Sequence, residues 1–386
     1  MTLEYIDTLL STATAGICLF CANLLLLRRR DPGVYMPLAM LFLFQGISAV
    51  LNVLNGDAEE FDLLMRFSLV LGGLDVVSPF LFWLYVRGLT SEGEVQRVPR
   101  LHYHVIPMVI VTLCLWTMLF FPSDLVEADI ADDDPRLVVL LLIVLAVFVG
   151  DLMLKVMIGT YVYLTMRRLV AYRARLKEVF ASTENRELSW IWVIIVSAAI
   201  FLLLNVALSA SIWIGALTET NLEHEMSVSG SVAMLALFWV LGVWGLRQRP
   251  GLIRTPVVEP PVAEPTIQRK YEKSALNDER AQRIAGKIEA AMADDLLYRD
   301  PNLSLWDLAK HIGVTSHYVS QTLNTHLDSN FFDLVNRWRI KDAIKQLNAT
   351  DETILVIAYD VGFNSRSAFY KAFKRETGKT PSEFRK

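Results

Sequence analysis

Up to about residue 246 the chain alternates long apolar runs with short charged loops. A helix needs about 20 apolar residues to cross a bilayer core. Seven runs reach or approach that length: 3–27, 34–54, 62–89, 104–121, 136–166, 190–214 and 228–246. The fourth and seventh are short, while the third and fifth are long enough to tilt or to project beyond the lipid. Past residue 275 the pattern changes. In "NDERAQRIAGKIEAAMADD" the apolar positions Ile284, Ile288 and Ala291 recur at helical spacing among charges, the signature of a soluble amphipathic helix.

The loops between the apolar runs carry a charge asymmetry. Arg28, Arg29 and Arg30 follow the first run, and Arg97 and Arg100 the third. Arg167, Arg168, Arg173, Arg175 and Lys177 follow the fifth, and Arg247, Arg249 and Arg254 the seventh. The alternate loops "NGDAEEF" (55–61), "PSDLVEADIADDDP" (122–135) and "ALTETNLEHEMS" (216–227) hold no Lys or Arg. The positive-inside rule puts the basic loops in the cytoplasm. This predicts an outside N-terminus, seven crossings and a cytoplasmic C-terminus. The first run is preceded by "MTLEYID" and followed by arginines. A cleaved signal peptide has its positive charge first, so the run reads as a retained anchor. The outside loops are too short for a ligand-binding domain, which leaves the helix bundle or the loops themselves as the place to sense a signal.

Residues 247–275 contain Pro250, Pro256, Pro260, Pro261 and Pro265, which rules out a continuous helix and predicts an extended, partly stiff tether. Beyond it lie several short helices. Ser304 and Asp307 are spaced as a capping box, as are Thr380 and Glu383, with Pro381 at the first helical position. Thr315 or Ser316 is placed to cap the helix in "TSHYVSQTLNTHL". Gly313 and Gly362 each stand at a bend between two short helices, where a positive φ is easiest for glycine. One long helix, "FFDLVNRWRIKDAIKQLNA", joins the two halves. The expected fold is all-α: a seven-helix transmembrane bundle (1–246), a proline-rich linker (247–275) and a soluble double helix-turn-helix domain (276–386).

Residues 276–386 resemble the AraC/XylS-type DNA-binding domain. The second half carries most of the likeness, in "ILVIAYDVGFNSRSAFYKAFKRETGKTPSEFRK", with Ile357-Ala358, Gly362-Phe363, Ser365, Phe369, Phe373-Lys374, Gly378, Thr380-Pro381 and Arg385. "LSLWDLAKHIGV", "YVSQTLN" and "NRWRIKDAIKQL" fit the same pattern in the first half. The arrangement as a whole resembles a bacterial group in which this domain follows a multi-span membrane module. Gln321, Leu323 and Asp328 depart from the usual basic residue, phenylalanine and glycine at their positions. Aspartate tolerates a positive φ better than most residues.

The resemblance implies base-facing positions at His317, Ser320 and Gln321 in the first reading helix. In the second it implies Arg366, Ser367, Tyr370 and Lys371. Gln321 suits bidentate pairing with adenine, and Arg366 or Lys371 suits guanine N7 and O6. Lys374, Arg375 and Lys379 suit phosphate. Ser316 and Ser365, short residues at the starts of these helices, would let a phosphate approach the helix N-termini. The implied partner is double-stranded promoter DNA read over two successive major grooves, with a homodimer as one way to strengthen binding.

Bulk composition alone points elsewhere: 53% of the 386 residues are hydrophobic, mean hydropathy is +0.38 and net charge is −4. These are averages over two unlike parts. Residues 276–386 hold 16 Lys and Arg against 15 Asp and Glu, but 364–386 hold 7 against 2, a net of +5 where DNA should lie.

Inside the apolar runs, Asp75, Asp151 and Lys155 are the expensive residues, with Asn52 and Asn205 as further polar groups. Ionisable groups at membrane depth mark a site for an unknown small-molecule or membrane signal. The plainer reading is an Asp–Lys pair at i and i+4, with asparagines bridging helices. Cys18, Cys21 and Cys114 lie in apolar surroundings and read as packing residues rather than metal or redox groups. Trp83, Trp116, Trp190, Trp192 and Trp213 read as interfacial anchors. No phosphate loop, HExxH or Ser/His/Asp grouping is present, and His102 and His104 lack ligand-spaced partners. Catalysis, a metal and a cofactor are therefore not expected. A transporter or membrane enzyme with a regulatory tail is the second reading, and a protein-binding rather than DNA-binding tail the third. The expected location is the bacterial cytoplasmic membrane, with the DNA-binding domain in the cytoplasm.

Overall fold

The computed structural model describes residues 3–28, 31–56, 62–91, 98, 100–120, 136–184, 187–218, 223–248, 252 and 278–385. The expectations for the linker and for most of the acidic loops lie outside these residues. The described chain is all-helical, with no strand beyond an isolated bridge, and divides into two compact units.

The first unit is built from α1 (Leu3–Leu27), α2 (Pro32–Gly56), α3 (Asp62–Gly72), α4 (Ser78–Leu89), α5 (His102–Trp116), the first part of α6 (Arg136–Val179), α7 (Ser189–Thr218) and α8 (Glu223–Arg247). Six described stretches are long and apolar enough to cross a membrane: Tyr5–Leu27, Pro32–Leu54, Arg66–Leu89, His102–Phe120, Arg136–Val179 and Gly230–Arg247. Small residues let these helices approach closely, as membrane packing favours. A Cβ on Gly88 of α4 would lie 3.0 Å from the Val34 Cα of α2, and one on Gly242 of α8 would lie 2.9 Å from the Cys21 Sγ of α1. Cys18 and Cys21 are buried free thiols in this packing.

Two apolar runs differ from their expected form. The third is not one helix. It breaks after Gly72 and passes through a 3-10 turn, Asp75–Val77, before resuming as α4 with Pro79 in its first turn. Glycine is a weak helix former and proline withholds a backbone donor. The break brings α5 close: a Cβ on Gly73 would meet Thr112 at 2.9 Å. The fifth run does not end near residue 166. It continues to Val179 as one 44-residue helix, roughly 66 Å long at 1.5 Å per residue.

The second unit contains α9 (Asp278–Ala293), a 3-10 turn at Leu297–Arg299, α10 (Leu305–His311), α11 (Ser316–Thr325), α12 (Phe331–Ala349), α13 (Ile354–Asp360), α14 (Arg366–Thr377) and α15 (Pro381–Phe384). It also takes in Val170–Leu188, the end of α6 and the loop that follows. A boundary at 246 leaves that segment with the apolar helices; by packing it belongs here. Nothing in its basic, loop-like composition signals a place in another core.

Two cores share α12. Phe331, Leu334 and Val335 join Ile288, Met292, Leu308, Val319 and Leu323 in the first. Ile340, Ala343 and Leu347 join Ile357, Phe363, Phe369 and Phe373 in the second. Local chemistry delimits the helices. The Ser304–Asp307 and Thr380–Glu383 capping boxes both form, and Asn330, Thr353 and Ser365 cap α12, α13 and α14, each contributing about 1 kcal/mol. Thr315 occupies the N-cap of α11 but makes no side-chain capping bond. Gly313 (φ +68) and Gly362 (φ +96) take the positive φ expected at the two bends, and Asp328 takes φ +42.

Candidate nucleic-acid interface

α14 buries Phe369, Ala372 and Phe373 in the second core and turns Arg366, Ser367 and Lys371 to solvent. Tyr370 lies between these faces. The Arg366 guanidinium sits 5.0 Å from the Tyr370 ring centre, and the Tyr370 hydroxyl is 3.3 Å from Ser382 Oγ on α15. The Ser382 hydrogen bond, with help from Arg366, holds the Tyr370 phenol below its ordinary range. Ser365 Oγ accepts from the Ala368 amide at 3.2 Å, so this hydroxyl already serves the helix start.

Lys374 and Lys379 are exposed beside this face. Arg375 is engaged within the protein: its guanidinium pairs with Asp333 on α12 at 2.9 Å and with Glu376 at 3.2 Å. A phosphate at Arg375 would have to compete with those carboxylates.

α11 buries Val319, Thr322 and Leu323 and exposes His317, with Ser316, Ser320 and Gln321 half-buried on its outer side. It lacks the cluster of cations seen on α14. Each base-reading candidate thus stands on the second helix of a bend; His317, Arg366, Ser367 and Lys371 are exposed, while Tyr370 also packs against the second core.

The junction between the halves was not singled out from the sequence. Asp342 of α12 accepts from the Tyr298 hydroxyl at 3.0 Å and from Arg299 at 2.8 Å, and Asn364 donates to the Pro301 carbonyl at 3.0 Å. At its centre lies Arg339, fully buried. Its Nε donates to the Tyr298 carbonyl at 2.7 Å and its NH2 to the Asp300 carbonyl at 2.8 Å. Its NH1 donates to Ser182 Oγ at 3.1 Å and, more weakly, to the Ala181 carbonyl at 3.4 Å.

Residues 308–386 match the family model described as a helix-turn-helix domain. The C-terminal unit carries a helix-turn-helix domain. The chain is similar to an uncharacterized HTH-type transcriptional regulator of Staphylococcus aureus strain COL, 33% identical over 113 residues, which are 29% of this chain and 14% of the relative. It is also similar to a proposed AraC-like transcription regulator of Streptomyces lividans, 34% identical over 108 residues, which are 27% of this chain and 35% of the relative. The chain therefore spans only a small part of these relatives' length. A solved structure of a Listeria innocua protein of unknown function is 25% identical and covers 26% of this chain, with a TM-score of 0.24. The matched residues include both bends, α12 and the outward faces of α11 and α14.

Asp75 and the Asp151–Lys155 pair form two separate contacts. Asp75, on the 3-10 turn, accepts from Gln45 Nε2 at 2.8 Å and from Ser48 Oγ at 2.7 Å, both on α2. Asp151 pairs with Lys155 along α6. No hydrogen bond or ion pair joins the two sets among the described residues. The side chain of Asn205 lies outside the described residues. Trp83 stacks with Phe80 and His104, and His104 Nδ1 lies 2.9 Å from the Tyr161 hydroxyl. Trp190 is buried against Tyr85 and donates to Gln248 Oε1 at 3.2 Å. Trp190 is packed inside the unit, while Trp83 is half-buried.

Proposed function

We propose that the chain is a membrane-tethered, sequence-specific DNA-binding transcription regulator whose apolar helix bundle receives a signal and passes it to the helix-turn-helix domain. The observation that carries this reading is the pair of outward-facing second helices, α11 and α14, held on one long helix in a chain that also holds membrane-length apolar helices. The charge of the loops favours a cytoplasmic DNA-binding domain. Asp75 with Gln45 and Ser48, and the Asp151–Lys155 pair, are the polar contacts through which a signal would act on the bundle. Pairing of two chains on adjacent half-sites would raise affinity through effective concentration.

The test is binding of the full chain, in membrane vesicles, to duplexes enriched from a random pool, over a salt series. Neutralising phosphates releases counterions, so log K should fall linearly with log salt. Arg366→Ala is expected to cost about 1–3 kcal/mol and to relax preference at one base position. Lys374→Ala should weaken all sequences alike and lower the salt slope by about 1. A chain that enriches no sequence and shows no salt dependence would sink the reading.

A further inference from the structure

We propose that Lys177–Glu184, the end of α6 and the loop after it, is the input of the DNA-binding unit, so that α6 rather than the proline-rich linker carries a signal to the reading helices. This rests on the function proposed above. The segment is built into the fold of the domain. Ala181 is 1% exposed and lies in the first core with Ile288, Met292 and Leu303. Its amide donates to the Leu303 carbonyl at 3.1 Å, and Phe180 bridges Ser304 in antiparallel fashion just before α10. The buried Phe180 ring meets Trp306 edge-on at 5.6 Å.

The segment also reaches the junction between the two reading halves. The Ala181 carbonyl and Ser182 Oγ are two of the four acceptors around Arg339. Tyr298 and Asp300 supply the other two. Without the loop one side of a buried guanidinium would face no acceptor, and buried unpaired donors are costly. Nearer the helix, Lys177 Nζ lies 5.7 Å from the Phe332 ring, and Arg375 of α14 lies 5.8 Å from the same ring. One aromatic side chain of α12 thus touches both the end of α6 and the second reading helix.

Mechanics favour the same route. α6 is one uninterrupted helix that contributes residues to both units. Residues 250–265 hold five prolines, and such a tether transmits distance limits rather than rotation. A ligand that favours one placement of α6 favours one placement of the loop, and so shifts the equilibrium of whatever the loop holds.

The experiment uses the full chain in membrane vesicles with a protease site placed in the linker. After cleavage the C-terminal fragment should sediment with the vesicles, and Ala181→Arg should release it. Release from the wild type, or retention of the variant, overturns the proposal. A Phe180→Cys and Trp306→Cys pair should join the two fragments through a short thiol cross-linker; failure to join them, in a variant whose α12 amide exchange matches wild type, also overturns it. Finally, one alanine inserted between Tyr172 and Arg173 turns the rest of α6 by about 100°. It should change affinity for the enriched duplex by roughly tenfold, within the usual range of allosteric coupling, whereas five residues added to the linker should leave it unchanged. The reverse pattern overturns the proposal. If the wild-type chain enriches no duplex, the DNA reading fails, and the retention and cross-linking arms still decide whether the loop is docked.

Discussion

Replacing Arg339 by lysine is expected to destabilise the C-terminal unit by about 2–4 kcal/mol, because buried carbonyls lose their donors. The guanidinium fork sends three nitrogens to four acceptors on two chain segments: Tyr298 and Asp300 on one, Ala181 and Ser182 on the other. A lysine ammonium is a single point with three donors and cannot reproduce the fork's reach to all four. The Tyr298 and Ala181 carbonyls are buried, and leaving them without that donor costs about 1–3 kcal/mol each. The charge itself is not what stabilises. Burial pushes the guanidinium down to about 10, with Glu184 and Asp300 opposing the shift. A cation whose folded value lies below its unfolded one works against folding while it stays protonated, and here nothing titrates between about pH 5 and 8. The stabilisation must come from hydrogen bonds and packing, including the Phe363 ring 5.4 Å from Cζ. Arg339→Met removes the charge but also takes the donors from the buried Tyr298 and Ala181 carbonyls, so it should also destabilise. Amide hydrogen exchange of α12 and α13 in the full chain would report the opening energy. If either variant exchanges within about 0.5 kcal/mol of wild type, the ordinary range of a surface change, the fork is not what holds the junction.

What could be read from the sequence, and what could not, divides by the range of the chemistry involved. Both capping boxes, the positive φ at Gly313 and Gly362 and the tolerance of Asp328 for the left-handed region follow from residues within a few positions of each other. The apolar runs are equally local, because each is long enough to state its own environment. Thr315 shows the limit even there: it has the right residue type at the right position, and its hydroxyl makes no cap. The break at Gly72-Gly73 is visible as a glycine pair, but what makes it worth having is the approach of Thr112, some forty residues away. Arg339 looks like any basic residue on an amphipathic helix. Its burial depends on Ala181 and Ser182, more than 150 residues earlier, and no periodicity or spacing encodes a contact of that separation. The same holds for Val170–Leu188, whose basic composition reads as a loop beside a membrane span but says nothing about where it packs. For the base-reading candidates, the amphipathic pattern of α11 and α14 does state which side faces out. It did not reveal that Arg375 is held by Asp333, since that carboxylate lies on a different helix.

Gly362→Ala should be the most damaging single-methyl change in the domain, at about 3–5 kcal/mol, beyond the usual spread for point substitutions. Two effects combine. At φ +96 the backbone lies outside the region where side-chain-bearing residues sit comfortably, which costs about 1–2 kcal/mol. The added Cβ would then lie 2.7 Å from both the Tyr298 and the Arg299 carbonyl oxygens. Those are backbone atoms, so nothing flexible can swing aside. Gly313 and Gly378 are internal controls. Each has positive φ, +68 and +76, but a Cβ there meets nothing within 4 Å. Alanine at either should cost only the conformational part, about 1–2 kcal/mol. Comparing the three variants by hydrogen exchange separates strain from collision, and equal costs at all three would remove collision as the cause. The Tyr298 carbonyl that Gly362 backs against is also the closest acceptor of Arg339. The two substitutions therefore disturb one atom from opposite sides. Gly362→Ala combined with Arg339→Lys should fall short of the sum of the single effects, with a coupling of about 0.5–3 kcal/mol, as for residues sharing a partner. Strict additivity would mean that glycine and arginine act on separate parts of the structure. A coupling of that size would make the Tyr298–Asp300 turn the point where the spacing of the two reading helices is set. The loop after α6 shares Arg339 with that same turn.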